Sequence, residues 1–279
     1  MRHSGKIGWF IAAVSVLAAV LITSAVGNAL AKPRTVTYTV TSDKLSGGMR
    51  LALLSDLHGS RYGAEQRQLM AALQQQRPDA VLLCGDIFDS DSDYARSEAF
   101  LSQIAEAYPC YFVMGNHEYG THRDEQIKEL VRSLGITLLE GDCNVFTAGG
   151  TSVRIAGVDD VYHDKIAYAE QLDAVAATLR QASMYTVLLS HEPQFIDQML
   201  GTGVDLILSG HTHGGQWSIP GVLNGLYAPG QGLFPKYAGG RYEFGAQTLV
   251  ISRGLSKKPL LVPRIFTPRE LVILELNPA

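Results

Sequence analysis

The sequence predicts an α/β domain behind a single transmembrane helix, and three patterns carry that prediction. Short apolar runs alternate with helical stretches along most of the chain, most runs are apolar at nearly every position, and the N-terminal region holds one long uncharged segment. With 279 residues, 46% of them hydrophobic and 18% charged, the composition suits one packed globular domain with a short appendage.

The segment from Gly8 to Ala31 carries no charge, and as a helix it reaches across a hydrocarbon core of roughly 30 Å. A buried globular helix is disfavoured because no polar face interrupts the run. Arg2 and Lys6 before it and Ala29-Leu30-Ala31 at its end also fit a cleaved signal segment. Its apolar length, however, exceeds the about 7 to 15 residues of a signal core. Residues 1–31 are therefore expected as a transmembrane anchor or signal segment, with the anchor favoured. Lys32 and Arg34 nearly balance the basic residues before the span, so the positive-inside count decides little. The expectation is a single-pass protein of the cell membrane with its globular domain outside the cytoplasm.

Residues 32–48 are polar and read as a linker, leaving 49–279 as one domain. Within it the runs 49–54, 80–84, 111–114, 153–158, 185–189 and 204–208 read as strands, mostly too apolar for a sheet with one wet face. The stretches 64–76, 93–107, 124–134, 167–181 and 193–200 between them read as helices. Strands flanked by helices bring their C-terminal ends together at a site. The segment 214–245, rich in Gly, Pro, Tyr and Trp, reads as a long functional loop or hairpin. Two last strands are expected at 248–252 and 270–276.

A formal net charge of -4 offers no basic surface for a phosphate polymer, so a nucleic-acid partner is not expected, whereas a small phosphate substrate is allowed. Nothing calls for an obligate protein partner. Cys84, Cys110 and Cys143 are odd in number and sit in or beside apolar runs, which predicts small core residues and no disulfide framework.

The expected strands end in polar clusters: Ser55-Asp56-Leu57-His58, Gly85-Asp86-Ile87-Phe88-Asp89, Gly115-Asn116-His117-Glu118, Ser190-His191-Glu192 and Gly210-His211-Thr212-His213. Carboxylate, carboxamide and imidazole groups at successive strand ends can close around divalent cations, with no thiolate competing. Asp56 and His58, and likewise His211 and His213, stand two residues apart and can present two ligands to one pocket. Each motif alone would more often be a capped turn; five in order point to a metal site.

Asp56-x-His58, Gly85-Asp86-x-x-Asp89, Gly115-Asn116-His117-Glu118, His191 and Gly210-His211-x-His213 together resemble the signature of the calcineurin-like metallophosphoesterases. Gly214-Gly215-Gln216 and Ser252-Arg253-Gly254 are similar to the small membrane-associated bacterial branch of the YkuE and YaeI type. The resemblance covers about residues 49–276 and implies an α/β/β/α sandwich. It also implies a dinuclear site: Asp56, His58 and His213 on one ion, Asn116, His191 and His211 on the other, and Asp86 bridging. The ions would be manganese, iron or zinc. With two aspartates and a bridging hydroxide the first shell keeps about +1, suited to an anionic phosphoester that the hydroxide attacks. His117 is implied as the catalytic group that stabilises the transition state and protonates the leaving group, with Glu118 and Asp89 orienting neighbours.

The implied activity is phosphodiesterase or pyrophosphatase action on a membrane-proximal substrate, lipid-linked or free. A general phosphomonoesterase and a metal-binding protein without catalysis are the alternatives. His122 reads better as a surface loop residue, His163 equally well as a pocket-facing residue or a surface turn, and Arg253 as a phosphate contact or a structural ion pair.

Overall fold

The computed structural model describes residues 2–89, 93–180, 183–258 and 263–279. Two six-stranded sheets face one another. The first holds β1 (Arg34–Ser42), β2 (Met49–Leu54), β3 (Ala80–Cys84), β4 (Cys110–Val113), β5 (Thr137–Leu138) and β14 (Glu270–Pro278), ordered β1-β14-β2-β3-β4-β5. The second holds β6 (Cys143–Ala148), β7 (Thr151–Gly157), β8 (Thr186–Leu189), β9 (Leu206–Ser209), β12 (Gly240–Phe244) and β13 (Gln247–Ile251), ordered β12-β13-β9-β8-β7-β6. A small hairpin joins β10 (Tyr227–Ala228) to β11 (Gly232–Leu233). The helices are α1 (Arg2–Leu30), α2 (Arg67–Gln76), α3 (Tyr94–Ala107), α4 (Asn116–Gly120), α5 (Asp124–Ser133), α6 (Lys165–Leu179) and α7 (Ile196–Leu200).

Strand parity explains the layers, because successive side chains point to opposite faces. Leu51 and Leu53 of β2, Leu82 and Cys84 of β3, and Tyr111 and Val113 of β4 meet Val153, Ile155, Val187, Leu189, Leu206 and Leu208 of the other sheet in one buried layer. The alternate residues face outward. Leu54, Val81, Leu83 and Phe112 pack under Leu69 and Leu73 of α2, Phe100 and Ile104 of α3, and Ile127 and Val131 of α5. Leu188, Ile207, Leu249 and Ile251 pack under Tyr168, Leu172 and Val175 of α6 and Ile196 and Met199 of α7. The result is the α/β/β/α sandwich. Each such fully buried side chain contributes about 1.5–3 kcal/mol, which is why the central strands are apolar on both faces.

The expected linker is a correction to the sequence reading. Residues 34–42 form β1, paired in parallel with β14 from Arg34↔Glu270 to Ser42↔Pro278. Thr35-Val36-Thr37-Tyr38-Thr39-Val40 alternates β-branched and aromatic residues in the manner of an edge strand, and its hydroxyls had disguised it as linker. The loop 214–245 likewise carries β10, β11 and β12, and β5, β6 and α4 lie outside the expected elements. Helix α6 is described to Leu179; its expected end, Gln181, lies outside the described residues.

Within α1, Trp9–Leu30 spans 22 residues at mean hydropathy 2.4, long and apolar enough to cross a membrane. Trp9, Phe10, Val16 and Ile22 stand exposed on it. The three cysteines are free, with Cys84 and Cys110 buried.

Candidate metal centre

Every candidate ligand sits where a parallel strand runs out: Asp56 and His58 after β2, Asp86 after β3, Asn116 after β4, His191 after β8, and His211 and His213 after β9. Parallel pairing of β2 with β3 and β4, and of β8 with β9, points these ends the same way. Two glycines let the backbones close in. At Gly85, with φ of 72°, an added Cβ would lie 2.5 Å from His191 Nδ1, and at Gly115 one would lie 2.4 Å from Asp86 Oδ1.

Two clusters of potential ligand atoms hold the expected ligands, Asp56 with His58 and His213, and Asp86 with His191 and His211, each within 4.8 Å, and a third joins His58 to Asp89 and His117. Asp86 Oδ2 lies 3.6 Å from His58 Nε2 and 3.1 Å from His191 Nε2, so one carboxylate oxygen faces both clusters. His213 Nε2 lies 3.7 Å from Asp56 Oδ1, and the rings of His58 and His213 stack at 5.1 Å. Asn116, which no carboxylate-and-imidazole cluster would include, places Oδ1 2.9 Å from His211 Nδ1. All seven residues therefore converge on one pocket.

The residues fit a pair of divalent cations on the evidence of their own unmet polarity. Nε2 of His58, His191 and His211 are buried without a hydrogen-bond partner, a cost of about 1–3 kcal/mol each that a cation would relieve. His211 is held down to about 3 and His213 well below the usual imidazole range, by burial first and then by neighbouring cationic groups. Both are thus neutral, the form that binds metal. Burial pushes against charge on Asp86, yet His191 and His58 hold its carboxyl well below the usual range. Burial raises Asp56. Cys84 is no competitor, since burial lifts its thiol far above the ordinary value.

His117 stands half-buried at the mouth, edge-on to His58 with ring centroids 4.5 Å apart. Its Nδ1 lies 2.7 Å from Asp89 Oδ1, and Asp89 also pairs with Lys258. Burial disfavours the imidazolium, but the Asp89 hydrogen bond together with the charges of Asp86, Asp89 and Glu118 outweighs it and lifts His117 to about 9. Glu118 is fully buried and accepts from the backbone N–H groups of Asp86, Ile87, Phe88 and Gly115 at 2.7–2.9 Å. That clamp joins the turn after β3 to the start of α4.

Three residues near the site escaped the sequence reading. Arg264 Nη2 stands 3.2 Å from His213 Nδ1, Glu192 Oε1 lies 3.5 Å from His211 Nε2, and Asp160 is buried nearby. Burial lifts Glu192 to about 9 and Asp160 to about 6. Glu192 adjoins His191 and was within reach of inspection; nothing local marks Arg264. His122 and His163 are exposed, and His163 stacks on Tyr119 at 3.6 Å. Arg253 pairs with Glu270 at 2.7 Å, the structural option.

A model of the calcineurin-like phosphoesterase family matches residues 49–215. Phosphodiesterase YaeI of Escherichia coli K12 is 30% identical over 233 residues, 81% of this chain and 82% of its own. The metallophosphoesterase YkuE of Bacillus subtilis is 26% identical over 236 residues, 82% of this chain and 79% of its own. A Danio rerio transmembrane protein with a metallophosphoesterase domain is 34% identical over 214 residues, 72% of this chain and 49% of its own. Among solved structures, GAP50, the anchor in the inner membrane complex of Plasmodium, aligns with TM-score 0.52 at 11% identity over 83% of this chain and 82% of its own. At that identity the likeness concerns the fold alone. Motifs, sandwich and relatives agree, and the chain belongs to the calcineurin-like phosphoesterases, a metal-dependent family of phosphoester hydrolases.

Proposed function

We propose that the enzyme is a membrane-anchored phosphodiesterase or pyrophosphatase acting on a membrane-proximal, lipid-linked phosphoester through two divalent cations. Asp56, His58 and His213 hold one ion, Asn116, His191 and His211 hold the other, and Asp86 serves both. The observation that carries this reading is the single Asp86 oxygen placed 3.6 Å and 3.1 Å from imidazoles of the two clusters. Bound there, manganese, iron or zinc would lower the pKa of a water nucleophile and neutralise phosphoryl oxygens.

The chain's own groups do the rest. Asp89 fixes the His117 ring through Nδ1, leaving Nε2 to donate a proton to the departing oxygen. Glu118 holds the Asp86 turn in place by four backbone bonds. The diester preference is supported by the likeness to YaeI, and the lipid-linked substrate by the apolar span of α1, since tethering raises the local concentration of membrane substrates. In this reading α1 is an uncleaved single-pass anchor with Arg2 and Lys6 inside and the domain outside the cytoplasm.

The test is hydrolysis of bis-p-nitrophenyl phosphate and p-nitrophenyl phosphate by the full chain in detergent, metal-stripped and then reloaded with manganese, zinc or iron. Restored diester cleavage is expected. Restored monoester cleavage alone would replace this reading with the phosphomonoesterase, and silence on both reporters with every metal would leave either an enzyme of narrow natural substrate or a metal-binding protein without catalysis.

A further inference from the structure

The last turns of α1 are fastened to the domain at a depth inside the apolar span. The Phe266 N–H donates to Ser24 Oγ at 2.9 Å, Asn28 Nδ2 donates to the Arg264 carbonyl at 3.0 Å, and Arg269 donates to the carbonyls of Asn28 and Ala31. Ser24 precedes Leu30, the end of the span, by about 9 Å along the helix axis. A bilayer that encloses the span therefore reaches the level of Phe266.

The domain surface at that level is apolar. Pro220, Phe266 and Pro268 line a cleft with Val16, Val20 and Thr23 of the helix. Beside them Val222 is 82% exposed, Ile219 51% and Phe266 43%. The two loops that carry these side chains are one unit, since the Ser218 N–H donates to the Ile265 carbonyl at 3.0 Å and the Ile265 N–H to the Gln216 carbonyl at 2.9 Å. Lys32 and Arg34, both exposed, follow the end of the helix at a position suited to anionic headgroups.

We propose that the face formed by Ile219, Val222 and Phe266 is a membrane-docking surface that enters the headgroup region of the same bilayer α1 crosses. Apolar tips flanked by basic residues bind in this way, buried to about 5–10 Å, which matches the offset of Ser24 from the helix end. Arg264, two residues before Phe266, stands 3.2 Å from His213 Nδ1. Docking thus holds the candidate metal centre at the lipid surface, where the phosphate of a lipid headgroup reaches it without leaving the membrane. The inference rests on reading α1 as a retained anchor and deepens the lipid-linked substrate proposed above.

The experiment uses the full chain in nanodiscs of phosphatidylcholine and phosphatidylglycerol, with or without bromine on the acyl chains. Trp9→Phe and Trp217→Phe remove the native reporters, and Val222→Trp supplies one on the docking face. Val145→Trp is the control. Val145 is 54% exposed on β6, at the opposite edge of the second sheet from β12, whose Arg241 bonds the Thr39 carbonyl of β1. Brominated lipid is expected to quench the Val222→Trp emission roughly twofold and to leave Val145→Trp unchanged. Phe266→Trp repeats the measurement if Val222→Trp does not fold. Equal quenching at both positions overturns the proposal. So does a blue-shifted but unquenched Val222→Trp emission, which would identify a second copy or a protein partner on that face. Because the readout does not involve catalysis, a soluble natural substrate would overturn the lipid-linked reading while leaving the docking result to stand.

Discussion

The interior of a strand and the residue just past its end obey opposite rules in this molecule. Along β2, β3 and β9 the backbone is regular and, apart from the half-buried Arg50 and the buried Ser209, the side chains are apolar and buried. Two or four residues further on, Asp56, His58, Asp86, His211 and His213 take φ values of 51°, 47°, 56°, 67° and 50°. Left-handed backbone is uncommon for any residue but glycine and costs on the order of 1–3 kcal/mol each where the surroundings impose it. These same residues are charged or polar and at most 5% exposed. Five of the seven candidate ligands thus combine strain with buried polarity. The apolar layers supply the stability that offsets them, and the strain turns side chains from several strands toward one point.

If that division is real, the largest single loss of function comes from the residue that serves both clusters. Asp86→Asn should lower diester hydrolysis by about 10⁴-fold, the several kcal/mol that metal-ion catalysis contributes, and should lower the metal retained after dialysis. Undiminished metal content with full activity would detach Asp86 from the centre. His117→Ala comes next, with a loss of about 10³-fold and no change in bound metal. The loss should shrink when the leaving group needs no proton, as with p-nitrophenolate. An equal loss for good and poor leaving groups would remove its role as proton donor.

The interior predicts the reverse pattern. Leu53→Ala opens a hole between the two sheets, where Leu53 is fully buried, and should cost about 2–5 kcal/mol of stability. Turnover per folded, metal-loaded molecule should be unchanged in rate assays below the melting temperature. A variant of normal stability would show that the inter-sheet layer is loosely packed, and one with altered turnover would break the separation between the two regions.

The sequence made the same division visible, unevenly. The fully apolar runs identified the central strands, and the polar motifs directly after them named seven residues that the structure brings into one pocket, because each motif is local and closes its own strand. Edge strands were harder. β1 was hidden by its threonines, although the alternation through Val36, Tyr38 and Val40 was there to be read, and β12 by the glycines before it. Arg264 was not legible at all: it reaches His213 only because the segment before β14 folds back across the site, a contact set by tertiary packing and by no pattern near either residue. The fourfold grip of Glu118 on the backbone and the left-handed turns are equally consequences of the assembled fold.

The smallest effect is the most telling about strain. Asp56 is fully buried, and its carboxylate accepts from Ser55 Oγ at 2.7 Å and from the His211 N–H at 2.9 Å. Burial nevertheless raises its pKa, so in the metal-free protein the ionised form opposes folding at neutral pH. Sign and window follow: an acid whose folded pKa is raised loses native stability as pH climbs from the unfolded value near 3.8 toward the raised folded value. Asn keeps the shape, accepts the His211 N–H on Oδ1 and donates from Nδ2 to Ser55 Oγ in place of the bond Oδ2 accepted, and it tolerates left-handed backbone well. Asp56→Asn should therefore stabilise the metal-stripped protein by about 1 kcal/mol, roughly 2–4 °C in melting temperature, while weakening metal binding and activity. Melting curves with and without manganese test this directly. The variant should melt higher than wild type without metal and lower with it, because only the ion compensates the buried charge. A variant that melts lower in both conditions would mean that Asp56 stabilises the fold on its own account, and that the strand ends are not held in place at a cost.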